Sequence, residues 1–584
     1  MKLKLYIFTL VSLALGMSSQ AQTYPSHSLL ATGSWHRLAV ERGGVCKVSV
    51  SDIAALNGVE CDKVALYGNG GGLMDDLNSA NRPNDLKQVA ISMHDLNANG
   101  RMDGSDYLLF YAEGADIWLY NAQSGMMEHR RHPYAKYNNY YLTTTGTDTP
   151  KRIGTGTAGE ANTNTIYNYT STALIDNDLL NTHSTGQIWV GEKFTTSNPS
   201  RSFTLSLPGV AAGSQLRSRI ALASVSTGST QFTVTYGGSS QRTDCNENRP
   251  YAILRNTYNA SSASATFNIT YSFAENQSTG YLDFIELNAT SPLAFRSGQA
   301  EAYNLDHLGA GNIAKFSIST NSTSMRVWDV TRNDSVVEMT LTRNGSTATF
   351  CNFTETVGHY VLFDASSYHS PARITQLSNQ DLHGELGADL VILTHPTFLS
   401  QAQELANLHL IYDGLSSLIV TPEKVWNEFS SGKQDPIAVR EMLRMFYKRA
   451  ASDDGFTAPR YLLLFGCGTF DNKDLLANGL PQILTCQSET SFTDEGGSYC
   501  TDDLFGYLDD GERGSQNESL EVSIGRLPAR NAAEADHMVA KIRRYMEKSD
   551  LKRTEIRGDW RNYVTLLADD ADPSSPGDSI FASS

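Results

Sequence analysis

The segment Asp95-Leu-Asn97-Ala-Asn99-Gly100-Arg101-Met-Asp103-Gly-Ser-Asp106 places oxygen-bearing side chains at positions 1, 3, 5, 9 and 12 of a loop whose position 6 is glycine. With a backbone carbonyl from Arg101, the residues Asp95, Asn97, Asn99, Asp103 and Asp106 form the pattern of a calcium loop. Calcium takes roughly six to eight oxygens, and short carboxylates and amides on a tight turn converge them without a deep cavity. A shorter Asp at position 12 stands where such loops usually carry a bidentate Glu. The competing reading is a polar β-turn, since Asn-Gly and Asp-Gly are ordinary hairpin residues. The expectation is a structural calcium beside the strand Tyr107-Leu-Leu-Phe-Tyr111, not a catalytic metal, and no organic cofactor.

Other chemistries are poorly represented. Tyr67-Gly-Asn-Gly-Gly-Gly72 is glycine-rich, but no Lys-Ser/Thr step opens a helix after it, so it reads as a loop and not a phosphate cradle. The absence of Gly-x-Ser-x-Gly and of His-Glu-x-x-His removes the serine-hydrolase and zincin readings. Seven cysteines form no Cys-x-x-Cys pair, which argues against a zinc knuckle or a thioredoxin motif. Cys46–Cys61 and Cys486–Cys500 are the nearest pairs for disulfides, and the odd number leaves at least one thiol over.

Ligands of parallel α/β sheets bind at the carboxyl ends of the strands, which selects His395, Cys467, Asp471, Arg526 and Asp569-Asp570-Ala571-Asp572. Asp502 and Asp503 join Asp471, Asp569, Asp570 and Asp572 as cleft candidates. Cys467 with His395 as base would make a nucleophilic dyad, because a thiolate needs a nearby base or positive charge. The alternatives are a small residue in a Gly-Cys-Gly turn and a half-buried imidazole before Pro396. The Asp569, Asp570 and Asp572 group reads equally as a cation site or a solvated loop.

The elements that must position these residues fall into two textures. From about Thr23 to Arg373, short alternating segments such as Ser202–Leu207, Gln231–Tyr236 and Ala265–Tyr271 are broken by Gly, Asn, Ser and Thr. A period of two predicts half-buried antiparallel strands and one or two β-sandwich modules. Near residue 380 the pattern changes to apolar runs separated by amphipathic helices, at Leu390–Thr394, Leu415–Val420, Tyr461–Phe465, Leu520–Ile524 and Val564–Ala568. Such alternation predicts a parallel sheet. One helix should follow Gln434, with Asp435 as N-cap, Pro436 at its first position and Val439, Leu443, Phe446 and Tyr447 on its packed face. Another should start at Asn531, in the capping box Asn531-Ala-Ala-Glu534.

Lys2 and Lys4, the apolar run Leu5–Met17 and Ser19-Gln20-Ala21 predict a secretory signal peptide cleaved after Ala21. The expected division is a signal peptide at 1–21, a β-rich module with the calcium-like loop at 22–160, β-sandwich modules at 161–375 and an α/β domain at 376–584. A net charge of −17 without a basic cluster argues against a nucleic-acid partner.

Seven ordered blocks carry a resemblance: Asn379–Gly384, Val391–Pro396, Glu428–Asp435, Pro459–Gly466, Thr501–Gly506, Ile524–Arg530 and Ala568–Asp570. Together they resemble the gingipain-type cysteine peptidases of clan CD, family C25, and among these most resemble the sortases of the type IX secretion system of the Bacteroidetes. The resemblance implies a caspase-like α/β domain, incomplete at its C-terminus, and a cysteine nucleophile with a histidine base. It also implies removal of C-terminal sorting signals from secreted cargo, with acyl transfer to an amine on anionic lipopolysaccharide. The implied partners are cargo C-terminal domains, other type IX secretion components and the outer-membrane surface, and the implied location is the outer membrane, cell surface or periplasm. A secreted gingipain-like protease and a noncatalytic scaffold are the alternatives. The family commonly has Asp where Cys467 stands. Its catalytic histidine, in Gly-His-Gly, and its cysteine would both follow Asp572, so the resemblance assigns no catalytic residue within the chain. The 584-residue chain is therefore expected to be truncated and inactive as a peptidase.

Overall fold

A computed structural model describes residues 23–78, 82–146, 148–226, 228–246, 249–273, 278–492, 498–514, 518–547 and 563–564. The predicted signal peptide and nearly all of the strand expected at Val564–Ala568 lie outside the described residues.

The β-rich region begins with Trp35–Val40, which pairs antiparallel with Asn138–Thr143 on one side and Arg373–Leu377 on the other. This five-stranded sheet packs on a three-stranded one built from Gly44–Ser49, Tyr107–Ala112 and Ser92–His94. Leu38, Val48, Leu66, Phe110 and Leu142 fill the space between them. A long sheet of ten strands follows, and Gly154–Gly156 joins its edge by pairing in parallel with Val337–Met339. Two four-stranded sheets cover it, one over Phe194, Phe232, Phe267 and Leu287 and the other over Phe316, Val327, Phe350 and Leu362. Strand Thr230–Tyr236 buries every second residue, the pattern of a sheet with one face on a core.

The α/β region holds four parallel strands: β1 Leu390–Thr394, β2 Ser417–Val420, β3 Tyr461–Phe465 and β4 Ser523–Leu527. Their order is β2-β1-β3-β4. Helices α1 Leu399–Asp413 and α4 Ala532–Met546 cover one face, and α2 Pro422–Phe429 and α3 Pro436–Ser452 the other. Alternation along β1 sends Val391 and Leu393 toward α2 and α3, and Leu390 and Ile392 toward α1 and α4. Both faces of β1 are thus dry, which is why it reads as a continuous apolar run, whereas β4 at the sheet edge carries Arg526 and stays partly exposed.

The caps follow the expected residues. Asp435 accepts from the Ile437 amide at 2.9 Å with Pro436 in the first turn, and Asn531 accepts from the Glu534 amide at 3.0 Å. Glu534 reaches back to the Arg530 amide at 2.9 Å, one residue further than a capping box requires. Gly414 ends α1 at φ +70°, a left-handed C-cap. The strand expected at Leu520–Ile524 runs instead over Ser523–Leu527, because Tyr461–Phe465 pairs from Ser523 onward while Leu520 stays exposed. All seven cysteines are free thiols. Cys486 lies opposite Thr501 and Cys500 opposite Gln487, so these two thiols face opposite sides of their hairpin and do not bridge. Among the described residues no helix is long and apolar enough to cross a membrane.

Candidate functional site

The carboxyl ends of β1, β3 and β4 lie side by side, so the segments leaving them share one edge of the sheet. His395, just after β1, donates its backbone N–H to the Phe465 carbonyl at 3.1 Å, and its Nδ1 accepts from the Thr397 amide at 3.3 Å. Burial lowers the pKa of this imidazole, which keeps it neutral. After β3, Gly466 runs so close to Pro481 that an added Cβ would lie 2.9 Å from its carbonyl oxygen. Cys467 follows; its thiol is buried and directed at the Pro481 carbonyl 3.6 Å away, and burial raises its pKa. A thiol held protonated against a carbonyl is a turn residue. No hydrogen bond joins Cys467 to His395 or, among the described residues, any cysteine to any histidine.

Arg526 in β4 organises this edge. Its Nε and Nη2 grip both oxygens of Asp502, at 2.8 and 2.7 Å, while the remaining donors reach the carbonyls of Gly466, Ile483 and Leu484 at 3.1, 2.9 and 2.9 Å. A planar guanidinium is suited to this two-pronged grip. Asp502 is therefore committed to Arg526. Asp471 is buried and closes a turn by accepting from the Leu475 and Leu476 amides at 2.7 and 2.8 Å. Asp503 is exposed and begins the short helical turn Asp503–Gly506. The structure thus gives Asp471 and Asp502 separate positioning roles and does not gather them with Asp503 into one acidic site. Asp569, Asp570 and Asp572 lie outside the described residues.

A cleft of about 470 Å³ opens between the strand ends and the β-rich region, with Arg37, Arg373, His395, Trp426, Lys473 and Gln482 on its walls. Arg37 is paired with Glu423 at 2.8 Å. The indole N–H of Trp426 and Oε1 of Gln482 have no hydrogen-bond partner. Sequence spacing does not reveal Arg37 or Arg373, which arrive on strands of the distant five-stranded sheet. Helix α2 brings Trp426, and its one local sequence signal is Thr421-Pro422-Glu423, with proline in the first turn.

The calcium-like loop is compact. Ala98 and Gly100 take φ +56° and +79°, and Asp95 accepts from the amides of Asn99 and Gly100 at 3.2 and 2.6 Å. The amide groups of Asn97 and Asn99 meet the two oxygens of Asp103 at 2.9 and 2.6 Å. Asp106 is buried and accepts from the Leu96 and Asp103 amides, each at 2.9 Å. Arg101 turns its guanidinium outward to Gly58 and Glu60, at 2.7 and 3.0 Å. Side chains at positions 3, 5 and 9 therefore converge, and rotating the two amides would turn their oxygens inward, which fits a hard cation. A separate surface group, Asp509, Glu512 and Glu521, brings carboxylate oxygens within 4.8 Å of one another, with Glu512 and Glu521 already accepting from the Asp509 and Leu508 amides.

Residues 383–583 match the model of peptidase family C25. The fold superposes on the crystal structure of dimeric latent PorU from Porphyromonas gingivalis with a TM-score of 0.79 and 26% identity, over 93% of this chain and 52% of that one. The chain thus spans about half the length of that protein. A calcium- and xylotriose-bound carbohydrate-binding module, CBM36, aligns at 13% identity over 20% of this chain and 98% of its own, with a TM-score of 0.13 that carries no argument. Among curated proteins none matches the chain.

Proposed function

Because this chain carries a gingipain-type C25 peptidase region and is related to PorU, we propose that it serves a sortase-like cysteine peptidase of a type IX secretion system. Such a protein would remove C-terminal sorting signals from exported cargo at the outer membrane. The supporting observation is that the likeness runs through the β-rich and α/β regions together, over 93% of the chain, and is not confined to the peptidase region. In this chemistry a thiolate attacks the scissile carbonyl and expels the downstream peptide as an amine. The resulting thioester is then opened by an acceptor amine, here one on lipopolysaccharide, or by water.

The described residues supply the edge that receives substrate: the ends of β1, β3 and β4, fixed by Arg526, and the cleft beside Trp426 and Arg373. Since no thiol is hydrogen-bonded to an imidazole among the described residues, the 584 residues alone are expected to leave cargo uncut. That geometry also favours a second reading, a noncatalytic component that holds cargo or other secretion proteins. An exported protein on the periplasmic or outer face, stapled by calcium at Asp95–Asp106, completes the proposal.

The test mixes a cargo protein bearing its C-terminal sorting domain with two preparations, the 584-residue chain and the same reading frame extended through any codons that follow Ser584, and reads the cargo by mass spectrometry with an added amine. Cleavage by the extended protein alone, with amide formation, supports the sortase. Indiscriminate cleavage of unrelated proteins would replace it with a general protease, and cargo binding without cleavage by either preparation would leave the scaffold.

A further inference from the structure

A second cavity, of about 280 Å³, lies where the ten-stranded sheet meets the loop after β3. Asp176, Arg219, Asp283 and Glu286 rise from the sheet, and Asn472 and Lys473 close the cavity from the loop. Its charged groups are unusually well shielded, with Glu286 1% and Arg219 8% exposed.

The charges are interleaved. Arg131 Nη1 contacts both Asp176 and Asp178 at 2.5 Å, Arg219 donates to Glu286 Oε1 at 2.7 Å, and Lys473 sits 3.8 Å from Asp178. Tyr251 donates to Asp283 at 2.5 Å. Burial pushes the Asp283 carboxyl up to about 7, which removes part of the acidic excess. Four buried atoms remain unpartnered: the acceptors Glu286 Oε2 and Asn472 Oδ1 and the donors Arg219 Nε and Arg131 Nε. Buried polar atoms are almost always satisfied by protein, water or a ligand, so four of them without a protein partner around one cavity leave two donors and two acceptors for whatever enters it.

The arrangement limits the chemistry of that ligand. With acids and bases alternating, neither an anion nor a cation finds a field of one sign, and a zwitterion finds no separated poles. A hydroxyl donates and accepts at once, as the two donors and two acceptors require. Trp189, stacked on Phe470 with centroids 5.8 Å apart, supplies a rigid apolar wall. We propose that this cavity binds an uncharged, hydroxyl-rich ligand one ring in size, a sugar residue of a glycan. The proposal does not rest on the peptidase reading.

Isothermal titration calorimetry of the 584-residue protein with glucose, galactose, mannose and N-acetylglucosamine, and with arginine and glutamate as charged controls, tests it. At least one neutral sugar is expected to bind about tenfold or more tighter than either control. Leu475→Trp, placed at a rim position that is 40% exposed, should fill the mouth and abolish binding without moving the melting temperature. Glu286→Gln should weaken binding about tenfold. Absence of binding by all four sugars, tighter binding of arginine or glutamate, or binding that survives Leu475→Trp would overturn the proposal, whether or not Glu286→Gln folds.

Discussion

Glu428 of α2 and the imidazole of His383 meet at 2.6 Å with both side chains shielded from solvent. The same carboxylate accepts from the Leu382 and His383 amides at 2.8 and 3.1 Å, and the far ring nitrogen of His383 lies 2.7 Å from the Asn84 carbonyl of the β-rich region. Phe429 stacks on the ring with centroids 4.6 Å apart. One ion pair therefore ties α2, the approach to β1 and the N-terminal sheets together. Glu428→Gln keeps the shape and removes the charge, leaving an imidazolium without its counter-ion. A loss of about 3 kcal/mol is expected in urea unfolding, since breaking a buried pair from one side strands the other charge. A loss below about 0.5 kcal/mol would mean that the pair contributes only surface-like electrostatics.

The same region predicts a pH dependence. Burial pushes the nearby Asp85 up to about 6, against the opposing charge of His383 and hydrogen bonds from the Leu29 and Leu86 amides. A folded carboxyl that keeps its proton up to about 6, against about 3.9 unfolded, makes the native state bind more protons between those values, so stability falls as pH rises through that window. Burial by itself lowers His383, but the Glu428 hydrogen bond and the Asp85 and Glu428 charges outweigh it and leave the pKa raised. Its contribution is complete below the unfolded value of about 6.5 and is lost as pH climbs through the raised folded value. Melting curves of the native chain and Asp85→Asn between pH 4 and 8 check this. The decline from pH 4 to 6 should flatten in Asp85→Asn, by an amount on the order of 2 kcal/mol, while the decline above 6.5 shrinks, since the Asp85 charge helps to raise His383, but remains through the Glu428 hydrogen bond. Parallel curves would refute the assignment.

How far the sequence reveals this molecule depends on the range of the interaction. Asp435-Pro436 and Asn531 announce their helices because a cap is a contact with the next few residues. Leu390–Thr394 and Tyr461–Phe465 announce themselves because helices cover both faces. The pairing of Arg373–Leu377 with Trp35–Val40 has no local signature, since it joins residues far apart in the chain. The buried charges fail for the same reason. Arg82 and Glu441 look like ordinary surface residues until the fold sets them 2.5 Å apart with almost no exposure. The motif residues were visible as residue types, but not the roles the structure gives Cys467, Asp471 and Asp502.

Arg526→Lys tests the organisation of the sheet edge. An ammonium cannot span both oxygens of Asp502 and three carbonyls at once, so the loops that leave β3 lose their common anchor. The variant should lose about 2 kcal/mol and become more sensitive to limited proteolysis after Cys467, before the rest of the chain. Unchanged proteolysis would show that the loops are held by other contacts.

Calcium should raise the melting temperature if the Asp95–Asp106 loop takes the ion, because a ligand that binds only the folded state at about a hundredfold excess over its Kd adds about 2.7 kcal/mol. Asp103→Ala removes a half-buried side chain whose partners are Asn97 and Asn99, so it should abolish the calcium shift with little change in chelator. A shift equal in magnesium, or one retained in Asp103→Ala, would place the effect elsewhere.

Thiol reactivity separates a turn cysteine from a nucleophile. Cys46, Cys245 and Cys486 are buried and their pKa values are raised by desolvation, and Cys467 is held protonated against Pro481. Cys500 is the exposed thiol. Because the thiolate is the reacting species, iodoacetamide at pH 7.5 should label Cys500 first, the half-buried Cys61 and Cys351 next, and the buried Cys467 more slowly than these, as peptide mapping by mass spectrometry would read. Cys467→Ser should leave the unfolding free energy within about 1 kcal/mol of the native chain, since the hydroxyl can donate to the same carbonyl. Fast, pH-independent alkylation of Cys467 near neutrality would reveal a depressed pKa and return the Cys467 and His395 pair to consideration as a catalytic dyad.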